Sequence, residues 1–241
     1  MAIPEDKLTE FKQALDEAAR PLFFFDGDAD GLTAYLLLYK RRQEGKSVII
    51  SGRPQLNGDF TRRYDETMPD AVFILDTAQV TQEFVDHIQC PIHWLDHHDP
   101  KHPELKMPKR LHYYNPRLWD DNDGRPTAYW AYQITKDDLW IAMAGIVGDY
   151  HFDEELAKEF REQYPDYLPE EVNHQGAALF DTKLGELIRI LNFNMKGPVS
   201  NCLTSVKILT RIAHPDEILN QATPKGKYLY KRYQRVLHHY R

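Results

Sequence analysis

Only two cysteines, Cys90 and Cys202, occur among the 241 residues. Two thiols cannot build a disulfide framework or a cysteine-based zinc site. No apolar run approaches the roughly 18 residues that a membrane span requires. The opening stretch MAIPEDKLTEF is acidic and polar, unlike the basic-then-apolar pattern of a secretory leader. A soluble protein of the cytoplasm, with no membrane partner, is expected. A basic coat is missing too: 30 Lys and Arg face 37 Asp and Glu, a net charge of −7, which excludes binding nucleic acid through bulk charge alone. There is no internal repeat and no low-complexity tract. What remains is an ordinary globular composition, 42% hydrophobic and 28% charged, long enough to bury a core without staples.

The average charge conceals an asymmetry. Six of the basic residues (Lys225, Lys227, Lys231, Arg232, Arg235 and Arg241) fall after Pro224 with no acid among them, which leaves 24 basic against 37 acidic groups elsewhere, a balance of −13. An acidic body with a basic, tyrosine-rich tail suits either a phosphate-binding tail or a terminal helix with a solvated face.

Strand-like and helical patterns alternate in the first half. Residues 21–25 (PLFFF), 47–51 (SVIIS), 71–75 (AVFIL), 91–95 (PIHWL) and 111–114 read as strands. Helical patterns cover 32–44, ending at Gly45, and 81–88. This alternation predicts an α/β fold: a doubly wound, mostly parallel five-stranded sheet flanked by helices. From Pro126 and Thr127 onward the chain reads as helical. Residues 138–147 are apolar nearly all round, and further helices are expected at about 153–163, 176–191, 199–212 and 226–240. A boundary near Tyr150 is expected, with a first domain over 1–150 and a helical C-terminal extension over 151–241.

The chemistry concentrates at element ends. Asp26-Gly27-Asp28-Ala29-Asp30-Gly31 sets three aspartates at alternate positions directly after an apolar strand. A calcium-binding EF-hand loop begins this way, but it needs a bidentate Glu at its twelfth position. Here that position is Leu37, inside an apolar helix. Carboxylates on the loop after a parallel strand lie instead where open α/β sheets place their ligands. Such a cluster repels itself, and a bound cation relieves it. Three further segments repeat the pattern: Leu75-Asp76-Thr77, Asp96-His97-His98 after another strand, and Gly148-Asp149 leaving the buried helix.

These four segments, in this order over roughly residues 20–150, resemble the motifs of the DHH phosphoesterase superfamily. Within it the chain is most similar to RecJ-like single-strand exonucleases of the archaeal type. The stretch Asn115-Pro116-Arg117 also resembles one these nucleases carry after Asp-His-His. The resemblance implies that Asp26, Asp28 and Asp76 hold one divalent ion, and that Asp30, Asp76, His97 and Asp149 hold a second, with Asp76 bridging. Some family members have His where Asp26 stands. Five carboxylates against two divalent ions leave the cluster near charge balance. Mostly oxygen donors with one imidazole favour Mn2+ or Mg2+ over zinc, and the family's preference makes Mn2+ the expected metal. The two-metal template implies a metal-activated hydroxide as nucleophile. His98 would contact a phosphate oxygen or protonate the leaving group. Asp96 would orient a histidine, so Asp76, Asp96 and His98 form the expected catalytic set. His98 and Arg117 are the expected substrate-binding residues.

The expected activity is metal-dependent hydrolysis of single-stranded DNA or RNA, with a replication or repair protein as a possible partner. Two alternatives stand beside it: a phosphoesterase acting on short oligonucleotides, cyclic dinucleotides or pyrophosphate, and a non-catalytic replication or repair scaffold. Relatives usually carry a C-terminal substrate-binding domain with a glycine-rich motif. Here Gly176, Gly185, Gly197 and Gly226 are scattered, so that domain is expected to be lacking, and residues 176–241 resemble the helical connector that precedes it.

Overall fold

The computed structural model describes residues 2–50, 55–102 and 104–239. Helix α1 (Glu5–Glu17) leads into strand β1 (Pro21–Asp26), helix α2 (Ala29–Arg42) and strand β2 (Lys46–Ile50). Then come β3 (Gln55–Leu56), α3 (Thr61–Thr67), β4 (Ala71–Leu75), β5 (Gln79–Val80), α4 (Gln82–His87), β6 (Ile92–Leu95) and β7 (Leu111–Tyr114). The rest is helical: α5 (Thr127–Thr135), α6 (Leu139–Gly148), α7 (Glu154–Gln163), α8 (Gln175–Phe180), α9 (Lys183–Asn194), α10 (Val199–Leu209), α11 (Asp216–Leu219) and α12 (Pro224–His239). Ser51 and Tyr240, expected within a strand and a helix, lie outside the described residues.

Five strands form the main sheet in the order β2-β1-β4-β6-β7, every neighbouring pair parallel. The chain steps from β1 outward to β2, then returns to the other side of β1 and proceeds through β4, β6 and β7. The order therefore reverses between β1 and β4, and their carboxyl ends flank the crevice where open parallel sheets bind ligands. Strands β3 and β5 form a separate two-residue parallel pair.

Both faces of the main sheet are covered, which is why its central strands read as unbroken apolar runs. Side chains still alternate by face. Phe23, Phe25, Phe73, Leu75 and Leu95 join the apolar cluster under α1, α2, α5 and α6, while Leu22, Phe24, Val72, Ile74, Ile92 and Trp94 meet Phe84 and Val85 of α4 on the other side. On the first face the register aligns Phe23, Phe73, His93 and His112 across four strands. Their rings stack with centroids 5.2, 5.2 and 5.0 Å apart. Burial pushes the His93 imidazole down to about 4, with the His112 ring lowering it further. His93 thus serves near neutrality as an uncharged core ring.

Helix α6 is buried along nearly its whole length and packs against α2, α5 and α9. The same apolar cluster continues to Ile218 of α11 and Leu229 of α12, so the helices after Tyr150 share the core that supports the sheet. The single helix expected over 176–191 is two, α8 and α9. The Thr182 hydroxyl accepts the Gly185 N–H at 3.0 Å and starts α9 afresh. Among the described residues no helix is long and apolar enough to cross a membrane.

Candidate metal centre

The first wall of the site comes from the β1–α2 junction. Asp26 ends β1, and its carboxylate accepts the Gly27 N–H at 2.7 Å. Asp28 caps α2 by accepting the Gly31 N–H at 3.0 Å. A Cβ on Gly31 would lie 2.6 Å from the Asp26 carbonyl oxygen, so only glycine lets the first turn of α2 rest on the strand end. Gly31→Ala is expected to destabilise the fold by about 1–3 kcal/mol and to weaken Mn2+ binding at least tenfold by displacing Asp26 and Asp28. Chemical denaturation and a manganese titration monitored by protein fluorescence would show both losses, and unchanged values in either would contradict this packing argument.

Asp30 lies in the first turn of α2 and is 1% exposed. Its two oxygens accept the N–H groups of Thr127 (2.8 Å) and Ala128 (2.6 Å), at the start of α5. The positive end of that helix thus fixes a buried carboxylate. The Thr127 hydroxyl also donates to Asp76 Oδ1 at 3.4 Å. Asp76 follows β4 with a left-handed backbone (φ 54°). Aspartate tolerates that conformation better than most residues, and the Asp76 N–H is anchored on the Leu95 carbonyl at 3.0 Å.

The end of β6 supplies the histidines. Asp96 is fully buried and accepts from Tyr113 Oη (3.3 Å) and Asn115 Nδ2 (3.4 Å). It also pairs with His98 Nδ1 at 2.8 Å. Asn115 Nδ2 reaches the His98 carbonyl at 2.9 Å as well, tying the loop after β6 to the end of β7. His98, held in this way, remains exposed. Asp149 arrives from the carboxyl end of α6. A Cβ on Gly148 would stand 2.7 Å from the Ala29 side chain, so this glycine admits the helix end onto the start of α2.

These elements converge. His97 Nε2 lies 3.4 Å from Asp76 Oδ1, 3.5 Å from Asp149 Oδ2 and 3.7 Å from Asp30 Oδ2. Three overlapping sets bring ligand atoms within 4.8 Å of one another: Asp26, Asp28 and Asp76; Asp30, His97 and Asp149; and Asp76, His97 and His98. The third set gives His98 a second option as a donor, beyond its expected contact with substrate. Burial, and then the neighbouring carboxylates, push Asp30 and Asp76 well above the usual carboxylate range. Burial also raises Asp26 and Asp149, with Asp28 adding to both and His97 pulling Asp149 back. His98 is raised, chiefly by its hydrogen bond to Asp96.

Among the described residues, no Lys or Arg forms an ion pair with Asp26, Asp28, Asp30, Asp76 or Asp149. Oxygen-rich donor sets with one or two imidazoles and no compensating cation suit hard divalent ions of the Mg2+ and Mn2+ type.

Arg117 sits at the carboxyl end of β7, on a short 3-10 turn (Pro116–Leu118) capped by Asn115. Its Nε is enclosed without a hydrogen-bond partner, and no hydrogen bond or ion pair joins it to the carboxylate–histidine cluster. Two features escaped the sequence reading: the Thr127 and Ala128 amides on Asp30, and the tie made by Asn115. Pro126-Thr127 was visible as a helix start, but nothing in its sequence names the carboxylate it holds.

No family model and no curated protein matches the sequence. Solved structures do match. A structure of exonuclease RecJ bound to manganese superposes with a TM-score of 0.65 at 15% identity, over 98% of this chain and 66% of that one. RecJ from Thermus thermophilus in complex with Mn2+ gives 0.64 at 15% identity, over 98% of this chain and 38% of that one. The DHH domain of a member of a ribosomal-protein family gives 0.60 at 13% identity, over 99% and 63%. The architecture is the RecJ-like DHH fold. The chain spans less than two thirds of each of these DHH-fold chains.

Proposed function

We propose that this DHH-fold chain is a divalent-metal-dependent phosphodiesterase that hydrolyses single-stranded nucleic acid, as a RecJ-like exonuclease does. The observation that supports this most is the meeting of five aspartates and His97 at the crevice where the sheet order reverses. In this reading Asp26, Asp28 and Asp76 hold one ion, Asp30, His97 and Asp149 hold the second, and Asp76 serves both. Mn2+ is the favoured metal. When bound, the ions supply Lewis-acid stabilisation of phosphate charge and a water nucleophile at neutral pH.

The remaining roles belong to the chain. The Thr127 and Ala128 amides hold the Asp30 carboxyl group in place and aim it at the cluster. The buried Asp96 carboxylate holds His98 through Nδ1, which leaves Nε2 of this exposed ring free for substrate. That bond raises the pKa of His98, which favours a ring that donates Nε2–H to a phosphate oxygen or passes its proton to the leaving oxygen. Asn115 fixes the loop on which His98 stands. Arg117, one strand away, is assigned to a second phosphate of the substrate. A replication or repair protein as partner belongs to the same proposal.

Single strands labelled at the 5′ or 3′ end, incubated with and without manganese, test the reading. Manganese-dependent release of mononucleotides from one end is expected. Hydrolysis confined to dinucleotides, cyclic dinucleotides or pyrophosphate would replace the polymer reading with the small-substrate one. No hydrolysis of any phosphodiester, together with tight binding of a replication protein, would leave a scaffold.

A further inference from the structure

The C-terminal helix α12 turns two different faces outward. Gly226 and Leu229 are buried against the body. Tyr233 meets Phe193 edge-on with centroids 5.5 Å apart, and Tyr230 packs beside it. Two of the tail tyrosines are therefore packing residues. Tyr228, Lys231, Arg232 and Arg235, spaced i, i+3, i+4 and i+7, share another face. With Asn201 of α10 they line a concavity of about 250 Å3. Tyr228 is 40% exposed, and Lys231 and Arg235 are exposed with no acid paired to them among the described residues. No Asp or Glu follows Glu217 in the sequence, so nothing on α12 offsets this charge.

One loop ties the concavity to α9. Arg232 Nη2 binds the Lys196 carbonyl at 2.6 Å and reaches the Asn194 carbonyl at 3.4 Å. This clamps the Lys196-Gly197-Pro198 segment against α12. Lys196 itself is exposed, and α9, from which its loop leaves, packs against α6 and α2 beside the cluster, where a Cβ on Gly148 would stand 3.3 Å from Ile188 Cγ2. Cationic side chains thus run from Lys196 on this loop, past the Arg232 clamp, to Lys231 and Arg235. Exposed Val199 and Tyr228 lie among them. Positive charge interleaved with aromatic and apolar surface suits a flexible phosphodiester chain whose bases can stack.

We infer that Lys196 and the Tyr228–Lys231–Arg232–Arg235 face of α12 form the track that holds the phosphate backbone of a single strand whose scissile phosphate lies at the metal centre. The inference rests on the proposed nuclease reading for its substrate, and it adds where the strand runs. From Tyr228 to Arg235 the face is about 10 Å long at 1.5 Å of rise per residue, enough for a few phosphates. The acidic body elsewhere repels the strand and confines it to this path.

The test separates the track from the chemistry. A fluorescein-labelled oligothymidylate long enough to reach α12 is titrated, by anisotropy, with full chain carrying the hydrolysis-blocking Asp76→Asn change. Adding Lys231→Glu and Arg235→Glu is expected to weaken binding at least tenfold. The slope of log affinity against log salt should become shallower by about 1.4, at about 0.7 per lost phosphate contact on a single strand. Lys12→Glu with Lys109→Glu changes net charge equally on other surfaces and should alter binding less than twofold. Tyr228→Ala should weaken binding of oligothymidylate more than binding of inorganic polyphosphate.

Equal loss in the two double variants would overturn the track, leaving only bulk charge. A polyglutamate chain displaced by oligothymidylate only weakly, and sensitive to the same substitutions, would overturn it in favour of an acidic protein partner. Because binding is read without turnover, failure of the wild-type chain to hydrolyse any strand would remove the nuclease reading without deciding the track. The anisotropy result alone settles the track.

Discussion

Asp76→Asn is expected to cut manganese-dependent turnover by about 10³-fold or more while raising the melting temperature of the metal-free protein. The opposite signs follow from one position. Asp76 is 3% exposed and contributes to two of the three candidate ligand sets, so losing its charge weakens both proposed ions together. Without metal, the same charge is a liability. Burial, and then Asp28, Asp96, Asp149 and Asp26, all disfavour its ionised form. Asparagine keeps the shape and suits the left-handed backbone at φ 54°, where Asn is among the most tolerated residues. Its amide also retains an oxygen for the Thr127 hydroxyl. Removing the repulsion should stabilise the apo fold by about 1 kcal/mol, or about 2–4 °C for a chain of this size. Differential scanning fluorimetry in EDTA and a labelled-strand assay in manganese measure the two effects. A variant that melts lower and loses activity would mean that Asp76 supports the fold rather than the metals. A variant with normal turnover would remove the proposed centre.

Much of this architecture could be read from residue order because the sheet is covered on both faces. Leu22–Phe25 and Ala71–Leu75 carry apolar side chains toward two clusters at once, so they stand out as bare hydrophobic runs. Helix α1 leaves a fainter trace. Its buried side chains, Leu8, Phe11 and Leu15, form a narrow stripe in an otherwise charged segment. Helix α3 has no fully buried side chain, sets only Tyr64 against the core, and offers no periodic signal.

The candidate site divides in the same way. Aspartates directly after apolar strands are conspicuous, since a carboxylate there needs a reason. Asp149 is conspicuous for a second cause: an acid at a helix carboxyl end opposes the helix dipole. The groups that hold these acids in place were illegible. Asp30 is gripped by the amides of Thr127 and Ala128, and a backbone N–H belongs to almost every residue type. Arg232 of α12 clamps the Lys196 carbonyl in the loop after α9, a long-range tie with no local signature.

The stability of the metal-free protein should fall as pH rises, and manganese should oppose that fall. Asp26, Asp30, Asp76 and Asp149 are all raised above the ordinary carboxylate range in the folded chain. Folded protein therefore holds protons that the unfolded chain releases near pH 4. Their contribution is complete below about pH 4 and is lost as pH climbs through the raised folded values. His98, also raised, extends the same trend upward from about 6.5. His93 works in the other direction: held down to about 4, it loses stability as pH falls from its unfolded value toward that point. The net curve thus mixes two trends, and the comparison that isolates the acids is wild type against Asp76→Asn. Bound ions require the ionised carboxylates, so metal affinity grows as protons leave. Manganese at a hundred times its dissociation constant adds about 2.7 kcal/mol. Melting temperatures from about pH 5 to 8, in EDTA and in excess manganese, should form two curves that nearly meet at the acid end and separate as pH rises. The gap should shrink sharply in Asp76→Asn. A gap of constant width would mean that manganese binds away from these carboxylates.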